Sequence, residues 1–126
     1  MKKEYVDKLS NQIIGLAIEV HRELGPGLLE SAYQQCLALE LSKADILFQF
    51  EKEIPINYKG IKLGCGFRAD FIVDDCILIE LKTVDKFLPI HEAQLITYLK
   101  LTGIHLGLLI NFNVRLLKNG IKRMVV

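Results

Sequence analysis

The sequence predicts an α/β fold in the order ααβββαββ, one mixed sheet flanked by helices. Three observations predict it. Apolar residues recur at helical spacing between residues 4 and 44. From Leu47 the period changes to two and holds through three successive runs. A second helical stretch then separates these runs from a continuous apolar segment, Ile104–Phe112, which suits a strand buried on both faces.

The first helix, residues 4–24, carries Val6, Leu9, Ile13, Leu16, Ala17, Val20 and Leu24 on one face. Gly25-Pro26-Gly27 ends it, because proline disfavours helical geometry in the residue before it and glycine suits the break. No Lys-Ser/Thr follows, so this is a helix–helix corner rather than a phosphate loop. The second helix is expected over Leu28–Ala44, with Leu29, Ala32, Tyr33, Cys36, Leu37 and Leu41 as its stripe and Glu30 at the margin of the buried face. Phe48, Phe50, Ile54, Ile56 and Tyr58 then alternate with polar residues as a half-buried strand. Lys59-Gly60 turns the chain, and Ile61, Leu63, Cys65, Phe67, Ala69, Phe71 and Val73 continue the alternation back. Gly64 and Gly66 fit a bulge or a close backbone approach in that strand. Asp74-Asp75 leads into a third strand, Cys76–Val84, so the three form an antiparallel meander. A helix over Ile90–Thr102, the strand Ile104–Phe112, and an Asn119-Gly120 hairpin into Ile121–Val126 complete the order.

At 126 residues the chain reads as one domain, 1–126. Its 51% hydrophobic content and mean hydropathy of +0.28 supply a full core, or leave apolar surface for a partner, most simply a second copy in a homodimer or homo-oligomer. Sixteen basic and 15 acidic residues give a net charge of +1, without the basic surplus of a free-standing, tight nucleic-acid binder. That balance still allows an enzyme with a locally positive cleft and a metal. Cys36, Cys65 and Cys76 have neither even number nor C-x-x-C spacing, which points to reduced thiols. With no apolar leader at the N-terminus and no membrane-length run, a cytoplasmic location without membrane association is expected.

Charges on the third strand carry the functional signal. Alternation puts Glu80 and Lys82 on one face of an otherwise apolar strand, and Ile79, Leu81 and Thr83 on the other. Buried charges cost several kcal/mol unless paired or metal-bound. Asp70 lies on the preceding strand. Two carboxylates with a lysine suit phosphodiester hydrolysis: hard Mg²⁺ or Mn²⁺ prefers oxygen ligands, and a lysine can orient water, move its proton or add positive charge. A cross-strand salt bridge on a solvated face is the competing reading.

These residues resemble the PD-(D/E)xK nuclease superfamily: Asp70, then Glu80-x-Lys82, with Gln94-Leu95-Ile96-Thr97-Tyr98 similar to the Q-x-x-x-Y element of its RecB-like branch. The chain is similar over nearly its whole length to the GxxExxY family, whose name motif appears as Gly27-Leu28-Leu29-Glu30-Ser31-Ala32-Tyr33. Val20–Pro26, Arg68-Ala69-Asp70, Glu80–Val84, His91–Leu95 and Leu108–Phe112 extend the match, and Ala69 stands where the superfamily's name has proline. The resemblance implies a restriction-endonuclease-like core. It implies Asp70, Glu80 and the Leu81 carbonyl as metal ligands, with Glu30 completing the acidic cluster directly or through water. It implies Lys82 as the catalytic lysine, Gln94 reaching toward that lysine or the nucleic-acid backbone, and Tyr98 bracing Gln94.

Arg68 is read as a phosphate contact or the partner of a carboxylate, and His91 as a helix cap ahead of a phosphate contact. Core packing with a hydroxyl hydrogen bond is expected for Tyr33 and Tyr98. Arg115, Lys118, Lys122 and Arg123 form one local basic cluster, a solvated hairpin or a nucleic-acid rim. The expected function is a Mg²⁺- or Mn²⁺-dependent nuclease acting on DNA ahead of RNA. The alternatives are a non-catalytic nucleic-acid-binding or protein-interaction module that keeps the fold, or a subunit of a larger complex.

Overall fold

Two helices, α1 (Lys3–Leu24) and α2 (Glu30–Lys43), precede a meander of β1 (Phe48–Tyr58), β2 (Ile61–Val73) and β3 (Ile77–Lys82). Helix α3 (Pro89–Thr102) leads to β4 (Leu106–Asn111), and a short 3₁₀ turn over Leu117–Gly120 leads to β5 (Ile121–Val125). The computed structural model describes residues 2–126, and of Cys65 only the main chain, so the thiol expected there lies outside the described residues. The five strands are ordered β1-β2-β3-β4-β5. All neighbours are antiparallel except β3 and β4, which α3 joins as a parallel crossover. This is the predicted α/β architecture.

The sheet separates two apolar layers. On one face Ile13 and Ala17 of α1 and Tyr33, Leu37 and Leu41 of α2 pack on Phe71, Ile77, Ile79, Leu81, Leu108 and Ile110. On the other, Leu95 and Leu99 of α3 pack on Ile54, Ala69, Ile72, Leu78 and Leu109. Strand β3 is therefore buried on both faces from Ile77 through Leu81, as its hydrophobicity requires. Each large apolar side chain taken fully out of water there contributes roughly 1.5–3 kcal/mol before entropy is counted. Among the described residues no helix is long and apolar enough to cross a membrane.

The structure corrects three expectations. Helix α2 begins at Glu30, with Leu28 and Leu29 left exposed in the corner before it. The alternation predicted through β2 does not hold: Ala69 packs on the α3 side and Phe71, of the same parity, on the α1–α2 side. The strand changes face at Asp70. Asn119-Gly120 does not make a two-residue hairpin turn, because both residues belong to the 3₁₀ turn. Gly120 is required for space: a Cβ there would stand 2.3 Å from the Asn111 carbonyl oxygen.

Tyr33 fixes the corner from which α2 starts. Its ring stacks on Phe112 at 4.5 Å between centroids. Its hydroxyl donates to the Gly25 carbonyl at 2.6 Å and accepts the Leu28 N–H at 3.1 Å. Tyr33→Phe keeps the stack and removes both bonds, so we expect a loss of about 1–3 kcal/mol in urea unfolding. An unchanged midpoint would show that the corner holds without them.

Candidate active site

The β2–β3 ladder runs Val73↔Ile77, Ile72↔Leu78 and Phe71↔Ile79, and stops there. The next rung is built from side chains. The Asp70 N–H donates to Glu80 Oε1 at 3.3 Å, and the Leu81 N–H donates to Asp70 Oδ2 at 2.8 Å. Each carboxylate thus takes a main-chain donor from the opposite strand, which satisfies groups that the parting strands would leave unpaired. The face change in β2 at Asp70 is the same event seen along the chain.

Both layers reach this fork. From α2, Gln34 donates its Nε2 to Asp70 Oδ1 at 3.0 Å, and Glu30, one turn earlier, is close enough to feel Asp70 and Lys82 electrostatically. From α3, Tyr98 stacks flat on Phe67 at 3.7 Å, and its hydroxyl feels Glu80 and Asp70. Beyond the fork, Asn111 of β4 ties down the chain that leaves β3. Its Nδ2 donates to the Val84 carbonyl at 2.7 Å and its Oδ1 accepts the Val84 N–H at 3.1 Å. The Phe112 N–H donates to the Lys82 carbonyl at 2.9 Å. Main-chain and side-chain bonds from β4 thus fix the end of the strand on which Lys82 stands.

Electrostatics at the fork favour a cation. Burial, then the Asp70 charge, push the Glu80 carboxyl up to about 8, against the pull of the Asp70 N–H and Lys82. Burial also raises Asp70, opposed by the Leu81 N–H and by Lys82. Glu30 is raised by burial and then by Asp70, with Lys82 opposing. No carboxylate comes within ion-pair distance of the Lys82 ammonium among the described residues. Burial without close counter-charge lifts an acid's pKa in this way.

Asp70 and Glu80 are oxygen donors of the kind hard divalent cations take, and they are short of positive charge. They fit Mg²⁺ or Mn²⁺ with main-chain and water oxygens completing the shell. Among the described residues no three His, Cys, Asp or Glu side chains close into a cage, so Glu30 is not assembled with the other two as a third direct ligand.

The sequence model of the PD-(D/E)XK nuclease superfamily matches residues 7–124. The chain belongs to that superfamily. Comparison with curated proteins and with solved structures finds no match. Members of the superfamily typically use a divalent metal, in keeping with the donor set at the fork.

The other residues singled out in the sequence are more dispersed. Gln94 lies one turn before Tyr98, half-buried, and makes no side-chain hydrogen bond among the described residues. His91 caps α3: its Nδ1 accepts the Leu88 N–H at 3.0 Å, leaving only Nε2 for another contact. Arg68 stands 3.6 Å from Glu53 and 3.9 Å from Glu51, an exposed and loose carboxylate pairing. The basic cluster divides. Lys122 pairs with Glu92 at 3.0 Å and Arg123 pairs with Asp7, while Arg115 and Lys118 stay apart in the β4–β5 connection.

Gln34, Tyr98 and Asn111 are the site residues that sequence reasoning missed or undervalued. Gln34 had a signal, four residues after Glu30 and on the same helical face. Asn111 had one too: a polar residue ending a wholly apolar strand needs a buried partner.

Proposed function

We propose that this protein is a divalent-metal-dependent nuclease of the GxxExxY type, a single domain over 1–126, cleaving phosphodiester bonds in DNA ahead of RNA. The observation that carries this reading is the fork at Asp70 and Glu80, where a half-buried and a buried carboxylate, both raised in pKa, meet near a lysine that has no ion pair among the described residues. Asp70, Glu80 and the Leu81 carbonyl would hold Mg²⁺ or Mn²⁺, with Glu30 reaching it through water. When bound, the ion would supply positive charge for the phosphate and lower the pKa of the attacking water. Lys82 orients the attacking water and places positive charge beside the phosphorus centre. Gln94, Arg68 and the Nε2 edge of His91 contact the nucleic-acid backbone, and Tyr98 walls the site against Phe67. We place the protein in the cytoplasm, with a second copy or a larger complex as its partner.

Purified protein incubated with single-stranded DNA, duplex DNA and RNA, with Mg²⁺, Mn²⁺ or EDTA, tests the proposal. Metal-dependent cutting that EDTA abolishes is expected. Strand binding with no cutting under any of these conditions would instead support a non-catalytic module.

A further inference from the structure

A cavity of about 440 Å³ opens between the end of α1, the Gly25-Pro26 corner and the β4–β5 connection. Arg22, Arg115 and Lys118 line it, and none of its lining side chains is acidic. Arg22 is held at 3.0 Å by Glu19, one turn back on α1. Arg115 and Lys118 form no ion pair among the described residues. An anion entering the cavity would meet positive side chains from two separate elements and no acidic side chain in its lining.

The place of this cavity in the fold connects it to the fork. The connection that carries Arg115 and Lys118 starts at Phe112, whose N–H donates to the Lys82 carbonyl. Phe112 stacks on Tyr33, and Tyr33 bonds Gly25 on the cavity wall. On the cavity's floor, buried His21 bonds the Val114 carbonyl at 2.7 Å, which fixes the chain just before Arg115. The cavity therefore lies at the same end of the sheet as Lys82, coupled to it through packed groups.

We infer that Arg22, Arg115 and Lys118 form a binding site for a backbone phosphate of the strand whose scissile phosphate lies at Asp70, Glu80 and Lys82. Arginine suits two-pronged recognition of phosphate oxygens, and lysine adds a mobile point charge. The contact is to phosphate rather than to a base, so it sets register on the strand without selecting sequence. A weak overall charge is then enough, because three of the chain's cations line one cavity. The identity of the strand rests on the nuclease reading, whereas the anion site rests on the cavity itself.

The two readings can fail separately. Affinity for a labelled single-stranded oligonucleotide is measured against salt in the Asp70→Asn background, with and without Arg115→Glu/Lys118→Glu. The control is Lys3→Glu/Lys43→Glu, which changes net charge equally at the far ends of α1 and α2. The Arg115/Lys118 pair should weaken binding at least tenfold, and its slope of log affinity against log salt should fall by about 0.7, the change for one phosphate no longer neutralised on a single strand. The control should change neither. With Asp70 restored, the same pair should raise KM and leave kcat within about twofold. Equal losses in pair and control, or no loss in either, overturn the inference. Inorganic phosphate titrated alone separates the sources: if the pair abolishes phosphate binding and leaves strand affinity intact, the site takes a free anion and the inference falls. If the wild type cuts nothing while strand affinity still depends on Arg115 and Lys118, the phosphate site stands and the nuclease reading falls.

Discussion

Lys82→Ala should cut its substrate at least a hundredfold more slowly than the wild type while folding normally. A positioned proton-transfer group contributes about 10²–10⁴-fold, and a preorganised charge at the reacting phosphate a similar amount. Among the described residues no ion pair or hydrogen bond holds the Lys82 side chain, so its removal leaves no buried partner stranded. Asp70→Ala should lose activity at least as completely, for two reasons together. It removes a metal carboxylate, and it strands the Gln34 amide and the Leu81 N–H, at about 1–3 kcal/mol for each buried donor left alone. Asp70→Asn keeps one acceptor oxygen for the Leu81 N–H and offers an Nδ2 donor to the oxygen of a flipped Gln34 amide, so it separates the two effects: activity should still vanish while the unfolding midpoint recovers much of the Asp70→Ala loss. Pairing a carboxylate variant with the lysine variant also guards against contaminating nuclease. Wild-type cutting by both Asp70→Asn and Lys82→Ala would end the nuclease reading.

The metal-free protein should lose stability as pH rises from about 4.5 toward 8, and Glu80 should account for much of the loss. Its carboxyl is lifted from an ordinary 4.5 to about 8 by burial and by Asp70. An acid whose pKa is higher in the folded chain binds its proton more tightly there. Its contribution is therefore complete below the unfolded value and disappears as pH climbs through the folded one. With each pKa unit equal to about 1.4 kcal/mol, the effect is on the order of 5 kcal/mol. Glu80→Gln cannot ionise, so at pH 8 it should unfold roughly 15 °C higher than wild type without metal, at about 3–4 °C per kcal/mol. The two should converge near pH 4. Millimolar Mg²⁺ or Mn²⁺ should raise the wild-type midpoint at pH 8 and leave the variant nearly unmoved, since a ligand that binds only the folded chain stabilises it. A wild-type curve parallel to that of Glu80→Gln, or equal metal responses, would show that Glu80 neither titrates in this range nor binds the ion.

Much of this architecture was legible in the sequence because periodicity reports burial. The stripes of α1 and α2, the doubly buried β3 and the apolar β4 are all visible in residue order. What stayed hidden were the irregularities. The face change at Asp70 leaves no compositional mark, because Ala69 and Phe71 are both apolar and both buried. The 3₁₀ turn hid behind Asn119-Gly120, since a glycine chosen for its missing Cβ looks the same as one chosen for a positive φ. Acidic and lysine positions were legible by type, whereas the bonds at the fork depend on how far two strands part, which no local pattern encodes. The four basic residues near the C-terminus looked like one cluster because they are close in sequence. The partners of Lys122 and Arg123, Glu92 and Asp7, come from distant parts of the chain.

The rung of side chains between β2 and β3 bears on how such a protein can drift. Asp70 and Glu80 close the sheet as well as offering oxygens to an ion, so a descendant that had given up cutting would still need acceptor oxygens at both positions. Among the described residues the Lys82 side chain makes no such bond, although its charge eases the burial of Glu30, Asp70 and Glu80. Loss of chemistry in this lineage should first be visible at that lysine, while acceptor side chains persist at the other two positions as scaffold. A chain that keeps Lys82 beside the fork, as this one does, retains the member of the trio on whose side chain no hydrogen bond among the described residues depends.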